Sequence, residues 1–283
     1  MASASAWAQR LIEFLPDLAA GDDALSSLRG RWSVLLHGST AAGVDDAVSD
    51  LDLWALVPVA ALAEHDRRSA SRFHAFSLDG KKGHLNVESG SDFQDRLARC
   101  DMPLLAELRR AQVLEDGLGA GRGLVAAARR PMPQAVRHAW FRFHYGEMRG
   151  WWRTAENAAG RADATALLLT APRVLEEAMR AAMILDGEPY PYQKWLPAWS
   201  AAVPTGSLLV PARERFLDAL GAGGLRGGEA GEAMAAALLE IRRILIERAR
   251  EERIEGDWLE RWWLDINGAR AAIAEARWPT APA

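Results

Sequence analysis

The chain has 283 residues, of which 49% are hydrophobic and 25% charged, and a formal net charge of -4. That length suggests one large or two modest domains able to bury most of their apolar surface without staples, and the acidic balance gives no global electrostatic footprint for nucleic acid. The lone Cys100 excludes an internal disulfide, Arg10 and Glu13 stand where an export signal would be apolar, and no apolar run approaches the ~18 residues of a membrane span, so a cytoplasmic location is expected.

In chain order, residues 5–20 place Trp7, Leu11, Ile12, Leu15 and Leu18 at helical spacing. Strands are expected at 32–37, 51–57, 72–77 and 84–88, with a short helix over 59–69 between the second and third. Residues 92–110 read as helix, broken near Pro103. A last strand at 111–114 precedes Asp116-Gly117. Gly117, Gly119, Gly121 and Gly123 invite a dinucleotide-fold reading, but no Gly-x-Gly-x-x-Gly can be drawn through them. The segment reads as a turn into a helix. A Walker-type loop is also absent, and no cysteine–histidine set supports a zinc site.

Pro131-Met132-Pro133 punctuates the chain, and the pattern changes there from strands to long helices. The sequence therefore predicts an α+β domain over 1–131 and an all-α helical bundle over 132–283. Helices are expected at 134–158, 163–186, 207–220, 229–254 and 257–276. Gly160 and Gly187 serve as stops, Asp163 as an N-cap, and the glycine-rich stretch 221–228 as a loop. Arg137, Arg142, Arg149 and Arg153 lie among Trp140, Phe141, Phe143, Tyr145, Trp151 and Trp152. Arginine among aromatics can stack bases. At helical spacing the same pattern is more often a core stripe with snorkelling arginines.

The chemistry concentrates in one stretch. Val34-Leu35-Leu36-His37-Gly38-Ser39 reads as a buried strand running into a turn, and Asp50-Leu51-Asp52-Leu53-Trp54 follows. A glycine lets backbone approach a phosphate, and Ser39 adds a hydroxyl donor. Leu51, Leu53, Ala55 and Val57 alternate with Asp50, Asp52 and Trp54, which puts both aspartates on one strand face, roughly 7 Å apart along the backbone. Two like charges so close repel each other. A divalent cation removes the conflict, and Mg²⁺ commonly takes one or two carboxylates plus substrate phosphates.

Gly38-Ser39, ten intervening residues, then Asp50-x-Asp52 resembles the signature of the nucleotidyltransferase superfamily with the polymerase-beta-like catalytic fold. That group includes aminoglycoside and lincosamide nucleotidyltransferases and small antitoxin-type enzymes. The resemblance implies ATP or another nucleoside triphosphate, two Mg²⁺ ions bound by Asp50 and Asp52, a triphosphate held by Gly38 and Ser39, and pyrophosphate as leaving group. It also implies a third carboxylate on a neighbouring strand. Glu88 fits, since Leu85 and Val87 make one face of 84–88 and His84, Asn86 and Glu88 the other. Glu88 would support the metal or deprotonate the acceptor, with Asp79 and Asp92 as rivals that look like loop or cap residues. Tyr190-Pro191-Tyr192-Gln193-Lys194-Trp195 resembles a stretch in the helical domains of some relatives, which implies that Lys194 reaches the triphosphate.

The expected activity is transfer of AMP to a hydroxyl of a small molecule, with an aminoglycoside- or lincosamide-like antibiotic as the acceptor that the resemblance implies, which would make the chain a resistance enzyme. Glu147, Glu156, Glu176, Glu177 and Asp186 could meet a cationic acceptor, but helical surfaces are normally rich in glutamate. The rivals are an antitoxin-like protein adenylyltransferase, a non-catalytic nucleotide-binding regulator, and an RNA-acting enzyme. The Asp50/Asp52 pair argues against the regulator. No membrane association is expected.

Overall fold

The computed structural model describes residues 3–222 and 228–279. These form two compact units. Residues up to Arg130, joined by Pro279, make the first, and Pro131–Trp278 the second.

The first unit is a mixed α+β domain. Its five strands are β1 (Ser33–His37), β2 (Leu51–Val57), β3 (Phe73–Leu78), β4 (Lys81–Ser89) and β5 (Gln112–Asp116), in the order β3-β4-β2-β1-β5. β1 runs antiparallel to β2 and β5, β3 antiparallel to β4, and β2 parallel to β4. A parallel pair needs a crossover, which the chain supplies through α4 (Val59–Arg68) and β3. Earlier in the chain come α1 (Ala4–Ala20), α2 (Asp23–Ser26) and α3 (Gly38–Ala42). Later come α5 (Gly90–Ala98), α6 (Met102–Arg110) and α7 (Ala120–Ala128).

Period-two alternation sorts the sheet residues. Val34, Leu36, Leu53, Ala55, Val57, Leu85 and Val87 form one core with Trp7, Leu11 and Leu15 of α1. Burying such a side chain contributes roughly 1.5–3 kcal/mol relative to leaving it in water. The alternate positions, Asp52, Trp54, His84, Asn86 and Glu88, therefore fall on the opposite face. There Trp54 meets Phe93 of α5 edge-on at 4.9 Å.

The expected strands and helices of this half are present, with shifted ends. Two short helices were not expected. α2 is capped by Asp22, whose Oδ1 accepts from the amides of Ala24 and Leu25 at 2.8 and 3.1 Å, and α3 replaces the expected turn at Gly38. The helix expected over 92–110 is two helices, and the break lies before the proline. Cys100 takes a φ of 58° and Asp101 caps α6 through the Leu104 amide at 3.1 Å. Pro103 falls in the first turn of α6, where its missing N–H leaves no hydrogen bond unmade.

The second unit is helical: α8 (Gln134–Gly160), α9 (Ala164–Leu185), α10 (Leu196–Ala201), α11 (Pro204–Gly221), α12 (Gly228–Glu251) and α13 (Ile266–Glu275). Asp163 caps α9 through the Ala166 amide at 2.9 Å, and Gly187 adopts φ 74° just past the helix end. Phe141, Tyr145, Met148 and Trp152 bury the inner stripe of α8. α8 and α9 are tied across their interface by His144 Nδ1 and Glu177 Oε2 at 2.5 Å. Most of the glycine-rich loop expected at 221–228 lies outside the described residues. The helix expected over 257–276 is instead two 3₁₀ turns, Asp257–Leu259 and Trp262–Leu264, followed by α13. Asp265 at that junction is held by the guanidinium of Arg142 on α8. Among the described residues no helix is long and apolar enough to cross a membrane.

Candidate active site

β1 ends at His37, and the chain turns at once into α3. Gly38 makes that turn with φ 71°, in the left-handed region that favours glycine. A second reason for glycine lies across the strand pair. A Cβ at position 38 would stand 2.2 Å from Asp52 Oδ2. The Gly38 amide donates to Glu107 Oε2 at 2.9 Å, and Glu107 is a buried residue of α6. Ser39 is buried in the first turn of α3. The Thr40 hydroxyl donates to the Asp50 carbonyl at 3.1 Å, which ties α3 to the start of β2.

Asp50 lies one residue before β2 and is exposed, whereas Asp52 is the second residue of the strand and is partly buried. In the sheet register Asp52 stands between two histidines, His37 on β1 and His84 on β4. His84 Nε2 lies 2.8 Å from Asp52 Oδ1, and its ring stacks on Phe73 with centroids 5.0 Å apart. The His37 ring lies flat on Trp54, with centroids 3.6 Å apart and planes 10° from parallel. Its Nδ1 stands 3.6 Å from Glu107 Oε2, and neither ring nitrogen makes a hydrogen bond.

Of the residues expected at the site, the fold sets Gly38 against the Asp52 carboxylate, and ties Asp50 by its main-chain carbonyl to the helix that begins with Gly38 and Ser39. Glu88 does not join them. It pairs with Leu56, four residues further along β2 than Asp52. At about 3.3 Å per residue that is roughly 13 Å away, too far to share a metal with Asp52. The face assignment of Glu88 agrees with the alternation, but the position opposite Asp52 belongs to His84. Glu88 and Asp92 instead add to the field around Arg72, whose guanidinium is held charged first by its hydrogen bond with Asp66. Lys194 belongs to the second unit and is exposed, its Nζ 5.3 Å from the centroid of the Trp195 ring. No carboxylate among the described residues pairs with it.

His84, His37 and Glu107 were not expected at the site. His37 was visible in the sequence beside Gly38 and His84 on the strand that carries Glu88, and the β2/β4 register selects His84. Glu107 arrives from a helix far along the chain and carries no local signal.

Among the described residues no group of three or more His, Cys, Asp or Glu side chains could hold a metal ion. What the site offers is the oxygen chemistry of Asp50 and Asp52. That fits magnesium, which keeps several waters and takes one or two carboxylates with substrate phosphates.

No family model matches the chain, and no curated protein does. Among solved structures, the nucleotidyltransferase-like protein from Exiguobacterium sibiricum superposes with a TM-score of 0.50, over 82% of this chain and 75% of that one, at 9% identity. The chain thus has the nucleotidyltransferase fold, an α+β sheet domain followed by a helical domain.

Proposed function

We propose that this protein is a magnesium-dependent nucleotidyltransferase that moves AMP from ATP to a hydroxyl of a small molecule and releases pyrophosphate. The observation that carries the reading is the fit of Gly38 against the Asp52 carboxylate, beside Asp50, in a sheet of this fold.

Asp50 and Asp52 would hold the metal, which supplies charge neutralisation at the attacking and leaving oxygens of an in-line displacement. The rest falls to the chain. The Gly38 amide is engaged by Glu107, so contact with the triphosphate rests on the Ser39 amide and hydroxyl and on Lys194. His84, whose Nε2 stands 2.8 Å from Asp52 Oδ1, would hold the orientation of that carboxylate. Positioning and electrostatics supply most of the acceleration in phosphoryl transfer. The acceptor is the aminoglycoside- or lincosamide-like antibiotic class that the sequence resemblance implies.

The test is pyrophosphate release with each nucleoside triphosphate against a panel of aminoglycosides, lincosamides and candidate proteins, with ATP labelled at the α-phosphate. Label on a small hydroxylated acceptor is expected. Label only on protein or RNA would overturn the acceptor class, and release of orthophosphate alone would overturn the reaction.

A further inference from the structure

The four arginines that stand among aromatics on α8 separate into two kinds. Arg137 is committed to Glu252 at 2.7 Å, and Arg142 grips Asp265. Arg149 and Arg153 instead line a cleft of about 540 Å³ in the helical unit. Trp152 and Glu156 of α8, Leu239 and Arg242 of α12, and Trp262 and Trp263 of the second 3₁₀ turn complete its wall. That volume lies within the range of small-molecule pockets. Glu156 is the one acidic residue of the lining, against three arginines.

Arg149 is the informative member. It is partly buried, and its hydrogen bonds run from Nη1 alone, to Tyr145 Oη at 3.1 Å and the Leu259 carbonyl at 3.5 Å. Among the described residues no carboxylate forms an ion pair with it. Its guanidinium carbon lies 5.6 Å from the centroid of the Trp152 ring and 5.9 Å from that of Tyr145. The aromatic faces offset part of the cost of a partly buried cation, but a charge removed from water favours an anionic partner. Arg242 is already engaged by Glu260, and Arg153 reaches Glu156 at 3.4 Å in solvent. The net charge facing the cleft is therefore positive: Arg149 has no carboxylate partner among the described residues, and Arg242 Nε is buried without a hydrogen-bond partner.

The other half of the recognition surface is aromatic, with the Trp262 and Trp263 rings edge-on to each other at 85°. Trp263 is 57% exposed and Leu239, also of the lining, 55%, so apolar surface stands open at the cleft. Next to the cleft, Trp152 and Glu156 also border a crevice lined by Ala155, Leu167, Phe216, Met234 and Leu238.

We infer that this cleft binds a small planar aromatic anion, its ring against the tryptophans and its carboxylate or phosphate on Arg149. None of the cleft residues is among those proposed for the transfer reaction.

The experiment follows tryptophan fluorescence and calorimetry of the full chain without nucleotide or divalent metal. The probes are naphthoate, naphthyl phosphate and neutral naphthol. Saturable binding of at least one anion is expected, with naphthol about tenfold or more weaker. Arg149→Gln is expected to weaken the anion roughly tenfold or more, as loss of a charge-assisted contact does. Trp263→Ala, at an exposed position, should weaken it with the fold intact by circular dichroism. The preferred anion tells a carboxylate ligand from a phosphate ester. Absence of saturable binding by either anion would overturn the proposal. So would naphthol binding as well as the anions do, or anion affinity unchanged in both variants.

Discussion

The carboxylate of Asp52 fills the space that a β-carbon at Gly38 would need, 2.2 Å from the point where that carbon would stand. Glycine is doubly required at 38, by this approach and by its φ of 71°. The turn and the acidic strand are thus one packed unit.

Gly38→Ala is accordingly expected to abolish transfer and to lower stability. An alanine at positive φ is strained by about 1 kcal/mol or more, and Asp52 must move to admit the methyl group. Pyrophosphate release and thermal unfolding measured together would show it. Wild-type turnover in a well-folded Gly38→Ala protein would mean that the interlock is incidental.

Asp52→Asn and Asp50→Asn are each expected to remove activity while leaving the unfolding midpoint close to wild type. Asparagine keeps the shape beside Gly38 but not the charge that a divalent cation needs. By the same geometry Glu88→Gln should cost less than tenfold in kcat, because the residue stands opposite Leu56. A loss with Glu88→Gln as deep as that with Asp52→Asn would restore Glu88 to the site.

The strands that carry the chemistry were legible because their periodicity is strong. β2 spans the expected 51–57, and Leu53, Ala55 and Val57 enter the core as the alternation requires. The face of Glu88 was legible too, but its height was not. Alternation reports which side of a sheet a residue takes, whereas the register between β2 and β4 is set by packing along the whole strand pair. Glu107 could not be read at all, since only the tertiary fold carries α6 to Gly38. Residues 257–276 failed for a related reason. The pattern there suits a helix, but the tether from Arg142 to Asp265 coincides with the point where regular helix begins.

Acid stability has a local contributor at Asp116. Its Oδ1 accepts from the Ser33 hydroxyl at 2.5 Å, and its two oxygens accept from the Gly121 and Arg122 amides at 3.2 and 2.9 Å. Burial alone pushes this carboxyl up, but these hydrogen bonds and the charge of Arg122 together hold it below its usual value. A carboxyl with a lowered folded pKa binds protons less readily than in the unfolded chain. Its stabilisation is therefore present above the ordinary value of about 3.9 and is lost as pH falls through the folded one. Asp116→Ala should cost about 1–2 kcal/mol near neutral pH, as loss of a helix cap does. The deficit should shrink as the medium is acidified. Urea midpoints across the acid range test this, and a deficit independent of pH would assign the effect to packing.

Lys194→Ala is expected to weaken ATP binding by roughly ten- to a hundredfold, the equivalent of about 1.5–3 kcal/mol for a charge-assisted contact. AMP binding should change little, because the lysine is proposed to meet the β- and γ-phosphates. The side chain is exposed and rests over Trp195 without a carboxylate partner among the described residues. Its removal therefore breaks no ion pair of the folded chain, and the unfolding midpoint should stay near wild type. Lys194→Arg keeps the charge and should retain part of the ATP affinity. Calorimetry with ATP, ADP and AMP on all three proteins separates the possibilities. A loss that grows with phosphate number follows from direct contact with the triphosphate. An equal loss for ATP and AMP would mean that Lys194 acts through Trp195 and the packing of its segment, and the proposed contact would fall.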